Sequence, residues 1–446
     1  MKQKIQLSDH FTYGRLIRFT IPSIGMMVFT SIYGVVDGFF VSNYAGKTPF
    51  AAINLIWPML MILSTVGFIF GTGGSALVAK TFGEGDYKKG NEYFSLFVYV
   101  CLALGFLFAV AGFICAPYAA SLLGADGDMQ DDAVLYARII LISLPMNVLQ
   151  YLFQSFMVTA ERPVLGLWVT VCSGVTNMVL DAVLVILLPQ EYKLAGAAVA
   201  TAMSQIVGGA VPLVYFSRKN SSILHLCKTK YDGKAVWKAC TNGSSEFMSN
   251  ISMSLVAMLF NFQLLKYAGQ DGVAAYGVMM YVSMIFSAVF IGYSVGVAPV
   301  IGFHDGAQNH EELHGLLVKS LIMIGLFGIV MILSAEVLAV PLAKIFVSYD
   351  AELMELTVSG FRIFALSFGF MGFAIFSSSF FTALNDGVTS AVISFLRTLV
   401  FECIAVLTLP LIWGVDGIWI SIDAAEFMAV VLGSFFLITK RKKYHY

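Results

Sequence analysis

The chain has 446 residues, of which 59% are hydrophobic and only 12% are charged, against about 45–50% and about 25% in soluble domains. So few charges exclude a soluble globular enzyme, and the apolar, aromatic composition excludes a disordered chain. The apolar runs are long and continuous, without the period-two alternation of a membrane β-barrel. The composition therefore predicts an all-α polytopic membrane protein. The net charge of −1 gives no indication of a nucleic-acid partner, and six scattered cysteines predict neither disulfides nor zinc.

The apolar runs, taken in chain order, predict twelve transmembrane helices of roughly 20 residues or more. The third and ninth are the most uniformly apolar, and the tenth to twelfth are more polar. The predicted spans are 15–41, 50–79, 93–116, 133–158, 163–188, 194–216, 238–266, 274–303, 316–343, 360–383, 388–412 and 416–439.

The distribution of Lys and Arg predicts the orientation of these spans. With the N-terminus inside, 19 of the 26 basic residues fall on the inner side, six fall on the outer side, and Arg397 lies within a span. Both termini are therefore expected in the cytoplasm, in a multi-pass protein of the plasma (cytoplasmic, or inner) membrane. No signal peptide is expected at the N-terminus. The predicted organisation is an N-terminal six-helix lobe (1–216), a basic cytoplasmic linker (217–237) and a C-terminal six-helix lobe (238–446).

The second half of the sequence repeats the first at a constant offset. Residues 44–87 align without a gap on residues 267–310, with eleven identities in 44 positions, and the same offset pairs Thr159-Ala160 with Thr382-Ala383. Because each half has an even number of spans, the halves share one orientation and are expected to be related by a pseudo-twofold axis along the membrane normal. Substrates of such proteins bind between the lobes, so the repeat favours a transporter.

In the N-terminal half, five polar residues are predicted to converge at one depth of the outer leaflet: Tyr33, Asp37, Asn177, Asp181 and Thr201. Tyr33 and Asp37, like Asn177 and Asp181, are spaced i,i+4 and share a helix face. Carboxylates are costly inside a membrane and usually functional there. Two neighbouring carboxylates can hold a proton or coordinate a hard cation such as Na⁺. The alternative interpretation is that Asp37 lies at the outer interface.

The C-terminal half has a second set of buried charges. Glu402 and Glu426 share a depth, Asp423 and Glu426 share a helix face, and Arg397 lies deeper on the same helix as Glu402. A lone guanidinium is costly in the bilayer, so Arg397 should have an acidic partner, and Glu426 is the better placed. An ion pair and a coupling role both remain open for these residues.

Four further polar residues are candidates for the wall of the substrate cavity, together with the C-terminal charges. Glu246 has Asn250 at i+4, and Gln150 shares a face with Gln154. A water-exposed position at the inner mouth is the alternative for Glu246. Hydrogen bonding between helices is the alternative for the two glutamines.

Several segments resemble the multidrug and toxic compound extrusion (MATE) family. They are IPSIGMMVFTSIYGVVDGFFVSNYAG in span 1, GTGGSALVAKTFGEGDYKKG at the end of span 2, NMVLDAVLV in span 5 and LAGAAVATAMSQ in span 6. FTALNDGVTSAVISFLRTLVFE and GVDGIWISIDAAEF resemble the bacterial MepA-like subgroup. The resemblance covers nearly the whole chain and implies two six-helix lobes arranged in a V.

The same resemblance implies a secondary antiporter that exports organic cations in exchange for Na⁺ or H⁺, with no cofactor. It maps the family's cation site onto Asp37, Asn177, Asp181 and Thr201, with Tyr33 nearby; these four would be the metal ligands if the coupling ion is Na⁺. One branch of the family uses acids on spans 7 and 10. Here span 7 has Glu246 but span 10 has no acid, which favours the N-terminal site.

Other classes of function fit the sequence less well. A flippase for lipid-linked saccharides or an exporter of another metabolite is the alternative within transport. The pyrophosphate of a lipid-linked saccharide would need basic residues in the cavity, whereas most charged residues within the spans are acidic. An enzyme would need a nucleophile–base or metal arrangement, which the sequence does not contain. A channel is a further alternative, but the lobe repeat with buried titratable pairs fits a carrier better. The expected partners are small organic cations and the lipid bilayer, and a monomer is expected.

Overall fold

The computed structural model describes residues 5–347 and 350–446. Within these ranges the chain is entirely helical and contains no β-strand. The first half consists of α1 (Tyr13–Phe40), α2 (Lys47–Phe68), α3 (Ser75–Gly83), α4 (Tyr87–Leu122), α5 (Gly127–Thr159), α6 (Pro163–Leu187) and α7 (Lys193–Ser217). The second half consists of α8 (Gly233–Asn242), α9 (Ser244–Gly306), α10 (His310–Val347), α11 (Ala351–Phe364), α12 (Phe368–Ala383), α13 (Gly387–Phe395), α14 (Glu402–Thr408) and α15 (Pro410–Tyr444).

Three short segments join pairs of these helices into single membrane crossings: Ile69–Gly74 and Leu396–Phe401 (π) and Ala365–Ser367 (3₁₀). Val41–Ala45 (π) extends the end of α1, and Gln190–Tyr192 (3₁₀) precedes α7. Eleven apolar helical segments in the described part of the chain are long enough to span a membrane. The longest, α9, has 63 residues and is broken at Gly269, so it makes two crossings. The twelve predicted spans are thus confirmed.

The predicted start of span 7 at residue 238 is wrong. Residues up to Asn242 belong to the separate, amphipathic helix α8, and the spanning helix α9 begins at Ser244. Gly243 separates the two helices, and a Cβ on it would lie 2.1 Å from the carbonyl oxygen of Ile69. Only glycine permits this close approach of the α8–α9 junction to the second crossing.

The internal repeat reappears in the backbone. Gly46 (φ 112°) ends the first crossing, and its counterpart in the repeat, Gly269 (φ 63°), breaks α9. Gly85 (φ 87°) and Gln308 (φ 55°), which the repeat also pairs, form the corresponding left-handed turns after the second and eighth crossings. The two six-helix lobes therefore have the same internal architecture, as the predicted pseudo-twofold symmetry requires.

The lobes cross at two symmetry-related glycines. A Cβ on Gly83 would lie 2.0 Å from the carbonyl oxygen of Phe303, and one on Gly306 would lie 2.1 Å from that of Lys80. Lys80 also forms an ion pair with Asp305 across this crossing, with the two atoms 2.8 Å apart. Small residues let the α3 and α9 backbones touch. We call the side of the membrane with this crossing and helix α8 the linker side.

Two other elements join the lobes on the linker side. Buried Asn242 donates from Nδ2 to the carbonyl oxygens of Gly73 (3.2 Å) and Thr382 (2.9 Å), one in each lobe. The segment before α1 also bridges them. The Leu7 amide donates to a Glu161 carboxylate oxygen of the N-terminal lobe (2.9 Å).

The same N-terminal segment continues to the second lobe. The Phe11 amide donates to Glu312 Oε1 (2.8 Å), His10 Nδ1 lies 2.6 Å from Glu312 Oε2, and Lys319 donates to the Phe11 carbonyl (2.6 Å). The Phe11 side chain is fully buried. These contacts close the linker side of the molecule, where one hydrophobic core is continuous between the lobes.

Candidate functional site

The N-terminal lobe brings two carboxyl groups together near the end of α1 that faces away from the linker side. The carboxyl of Asp37 on α1 lies close to the side chains of Asp181 and Asn177 on α6. Thr201 on α7 donates from Oγ1 to Asp37 Oδ1 at 3.5 Å. Four of the five residues predicted to share one depth therefore converge from three helices.

A glycine allows this convergence. A Cβ on Gly174 of α6 would lie 2.5 Å from the ring of Phe29 and 2.7 Å from the ring of Tyr33, both on α1. The missing side chain lets α6 approach α1 closely. Asn177 and Asp181 follow one and two turns later on the same helix face, so the close approach positions them against Asp37.

The site has more acceptors than donors. Both carboxylate oxygens of Asp181 and Oδ1 of Asn177 are buried without a hydrogen-bond donor among the described residues. Asp181 is fully buried, whereas Asp37 is partly exposed. A buried carboxylate without a donor is costly. A proton or an oxygen-coordinated cation that arrived from the side of Asp37 would relieve this cost.

Two tyrosines complete the site. Tyr33 lies one turn before Asp37 and interacts with it, with Gln150 and with Tyr151. Tyr136 on α5 is 1% exposed and interacts with Asp37, Asp181 and Thr201. Tyr136 was not predicted from the sequence, because nothing in its own helix indicates that it faces Asp37 on α1.

Gln150 and Gln154, predicted for the substrate cavity, lie in the interior of the N-terminal lobe. Gln150 is 6% exposed, donates to Ser173 at 3.4 Å and packs against Gly208. Gln154 is 7% exposed, and its amide nitrogen has no acceptor among the described residues. The described contacts of both residues are within their own lobe, and Gln150 also interacts with Tyr33.

The predicted ion pair of the C-terminal lobe is confirmed. Arg397 lies in the π-helical segment between α13 and α14, and its guanidinium binds Glu426 of α15 in a bidentate arrangement. Arg397 Nε lies 2.9 Å from Glu426 Oε2, and a terminal nitrogen lies 2.7 Å from Oε1. Glu426 is 2% exposed. Two parallel charge-assisted hydrogen bonds are the strong form of such a pair.

Two further acids surround this pair. Glu402 is close enough to interact with Glu426, Arg397 and Tyr276, and Asp423 interacts with Glu426. One oxygen of Asp423 is buried and accepts no hydrogen bond from a described side chain. The cluster therefore has three acids and one base, as expected from the sequence.

Glu246 is the third residue of α9, nearer to the helix start than the sequence suggested. Its carboxylate is partly exposed and has no hydrogen bond or ion pair within the described residues, while its carbonyl accepts from Asn250 Nδ2 at 2.9 Å. Glu246 lies one turn beyond the Asn242–Gly243 junction that closes the linker side. It is thus an unpaired acid beside the point where the lobes meet.

No three His, Cys, Asp or Glu side chains of the described residues group in a way that could hold a metal ion. The N-terminal site instead combines two carboxyls with an amide and a hydroxyl. This oxygen-rich set suits a proton or a hard cation, and it contains none of the thiolate or imidazole ligands that favour softer metals.

Comparison with known families decides the class of this protein. The sequence model of the MatE family matches residues 22–183 and, separately, residues 247–407. The chain belongs to the MatE family. The two matches coincide with the two halves of the repeat. Members of the family are transporters, so this MatE protein is a membrane transporter and not an enzyme.

Relatives named as multidrug export proteins and solved structures agree with this assignment. The chain is 23% identical to the multidrug export protein MepA of Staphylococcus haemolyticus over 99% of its length and 97% of that protein. It is 21% identical to MepA of Staphylococcus aureus, over 92% of this chain and 90% of that protein. An outward-facing multidrug resistance MATE transporter of the MOP superfamily superposes with a TM-score of 0.92, covering 100% of this chain and 99% of that chain at 21% identity.

Proposed function

We propose that this MatE-family transporter exports small organic cations across the plasma membrane in exchange for Na⁺ or H⁺. The observation that carries the proposal is that Asp37 and Asp181, two neighbouring carboxyls inside one lobe, have too few hydrogen-bond donors. Such a pair must gain a proton or a cation, and it then changes charge during a transport cycle. The names of the MepA relatives, which are multidrug export proteins, support the substrate class.

Within this proposal the coupling residues are Tyr33, Asp37, Asn177, Asp181 and Thr201. If the coupling ion is Na⁺, Asp37, Asn177, Asp181 and Thr201 hold it. The linker side is the cytoplasmic side, because it holds most of the Lys and Arg residues and both chain ends. The lobe contacts on that side then correspond to a conformation open to the outside, in which Asp37 takes up the external cation.

The substrate cavity lies between the lobes in this proposal. Glu246 supplies an unpaired negative charge at its closed end, and Glu402 and Asp423 supply further acids around the Arg397–Glu426 pair. An acidic cavity attracts cations and repels anions. Aromatic side chains add about 0.5–2 kcal/mol for each well-placed ring through cation–π contact.

Export of a lipid-linked saccharide is the second candidate, and the charges argue against it. A pyrophosphate needs unpaired basic residues, whereas Arg397 is already held by Glu426 in a bidentate ion pair. A flippase of this kind would leave Glu246 facing a polyanion, which is unfavourable.

Transport by reconstituted protein separates these candidates. Proteoliposomes are loaded with a quaternary ammonium dye or with a polyanionic lipid-linked sugar, and Na⁺ and pH gradients are imposed one at a time. We expect gradient-driven movement of the dye and none of the sugar, and the active gradient identifies the coupling ion. Glu246→Gln should weaken dye binding by on the order of tenfold, because it removes one charge from the cavity. Tight binding of the sugar with no binding of the dye would overturn the proposal.

A further inference from the structure

A cavity of about 580 Å³ opens on the linker side of the N-terminal lobe, away from the space between the lobes. Its walls come from α1, α6 and α7 and from the loops beside them. The lining includes two arginines, Arg18 and Arg162, and three aromatic residues, Phe19, Trp168 and Tyr215. Its volume is in the range of small-molecule sites.

The two arginines offer unused hydrogen-bond donors. Arg18 is exposed and has no hydrogen bond or ion pair within the described part of the chain. Arg162 uses one terminal nitrogen to donate to the Ser221 carbonyl (2.7 Å) and hydroxyl, but its Nε is buried without an acceptor among the described residues. A buried guanidinium N–H without a partner is costly and suggests an anionic ligand.

One acid also lines the cavity. Glu161 accepts the backbone amide of Leu7 on Oε1 at 2.9 Å, so this carboxylate holds the N-terminal segment. The two arginines outnumber it, and the net charge of the lining favours an anion.

The cavity lies at the level of a lipid headgroup. Arg18 is five residues from the start of α1, Trp168 is five residues from the start of α6, and Tyr215 is two residues from the end of α7. At 1.5 Å per residue, all three lie within roughly 8 Å of the linker-side ends of their helices. Tryptophan, tyrosine and basic residues concentrate at this depth of membrane proteins.

The apolar part of the lining continues onto the surface of a membrane-spanning helix. Val164 and Trp168, both on α6, are 55% and 61% exposed. Acyl chains can therefore lie against α6 while a phosphate meets the arginines. Basic pockets between transmembrane helices bind anionic lipid headgroups in this way.

We propose that this cavity binds the headgroup of an anionic phospholipid, with Arg18 and Arg162 on the phosphate and Trp168 and Tyr215 at the glycerol level. This site is separate from the proposed coupling residues and does not depend on the direction of transport.

Lipid preference in nanodiscs tests the proposal. The full-length protein is placed in mixtures of phosphatidylglycerol and phosphatidylcholine, one of which carries brominated acyl chains that quench tryptophan. Trp168→Phe identifies the signal of Trp168. Two arginines correspond to about a thirty-fold preference for the anionic lipid. We expect this preference near Trp168 and its loss in Arg18→Gln/Arg162→Gln.

The control is Lys230→Gln/Lys238→Gln, which removes the same charge from two exposed linker-side lysines outside the cavity. It should keep the preference. Because Arg162 also holds Ser221, Arg18→Gln alone is the second variant. Its preference for the anionic lipid should be about fivefold lower than that of the wild type. Equal quenching by both lipids, an unchanged preference in Arg18→Gln, or an equal loss in the control would overturn the proposal.

A second arm distinguishes a lipid from a soluble anion. Inorganic phosphate is titrated into the detergent-solubilised protein by calorimetry. We expect no saturable binding that depends on Arg18 and Arg162, because phosphate lacks the acyl chains that lie along α6. Arginine-dependent phosphate binding without a preference for phosphatidylglycerol would indicate a soluble anion and contradict the lipid site.

Discussion

Removing both members of the Arg397–Glu426 pair should be far less harmful than removing one. Arg397→Ala leaves Glu426, which is 2% exposed, without its two charge-assisted hydrogen bonds and near two other acids. Loss of one partner of a buried pair costs about 3–5 kcal/mol of unfolding free energy. Removal of both is often close to neutral, because no uncompensated charge remains. The coupling energy should therefore reach about 3 kcal/mol or more.

A double-mutant cycle measures this coupling. Unfolding free energies of the wild type, Arg397→Ala, Glu426→Ala and the double variant are determined in detergent by denaturant titration. The Arg362–Glu336 pair is the control, because its atoms lie 3.5 Å apart and both side chains are exposed. Its coupling should stay below about 1 kcal/mol. A double variant no more stable than the worse single variant would refute the reasoning and leave Arg397 available for Glu402 or a substrate.

Two further predictions concern the linker side. Gly83→Ala places a Cβ against the Phe303 carbonyl, so it should destabilise the closed linker side by about 1–3 kcal/mol. Faster labelling of linker-side cysteines would report this opening, whereas unchanged labelling would contradict the prediction. The control is Gly14→Ala, which should not change the labelling because the space around its Cβ is open. Burial would raise the pKa of Asp386, which lies between two crossings, but hydrogen bonds from Tyr444, Thr389 and Lys440 outweigh burial and lower it. The stability from this lowered pKa is present above the ordinary carboxyl pKa near 4 and lost as the pH falls through the folded value. Asp386→Asn should lower the free energy of unfolding by about 1–3 kcal/mol at neutral pH. The difference from the wild type, measured by thermal unfolding, should vanish in acid. A difference that stays constant with pH would contradict the prediction.

The sequence predicted those features that follow from periodicity and depth. Span positions, the internal repeat and the Arg397–Glu426 partnership depend on helix geometry along one or two segments, and the structure confirms them. The interruption at Gly243 was missed, because a single glycine among polar residues does not reveal that another backbone lies 2.1 Å from its Cβ position.

Contacts between the lobes also could not be predicted from the sequence. Lys80 and Asp305 lie in different halves of the chain, and their pairing depends on how two similar lobes meet in one conformation. The N-terminal segment has no membrane-spanning pattern, yet Leu7 and Phe11 bind acids on both lobes. Tyr136 was missed because its role depends on α5 lying against Asp37.

The most direct test of ion coupling at the N-terminal site is gradient-driven efflux by Asp37→Asn and Asp181→Asn in proteoliposomes. Asp126→Asn, in an exposed loop between two crossings, is the matched control. Each site variant should insert and fold but lose coupled efflux, because an amide can neither release a proton nor supply the negative charge that a cation needs. The control should transport like the wild type. Full gradient-driven transport by either Asp37→Asn or Asp181→Asn would contradict the proposed coupling site.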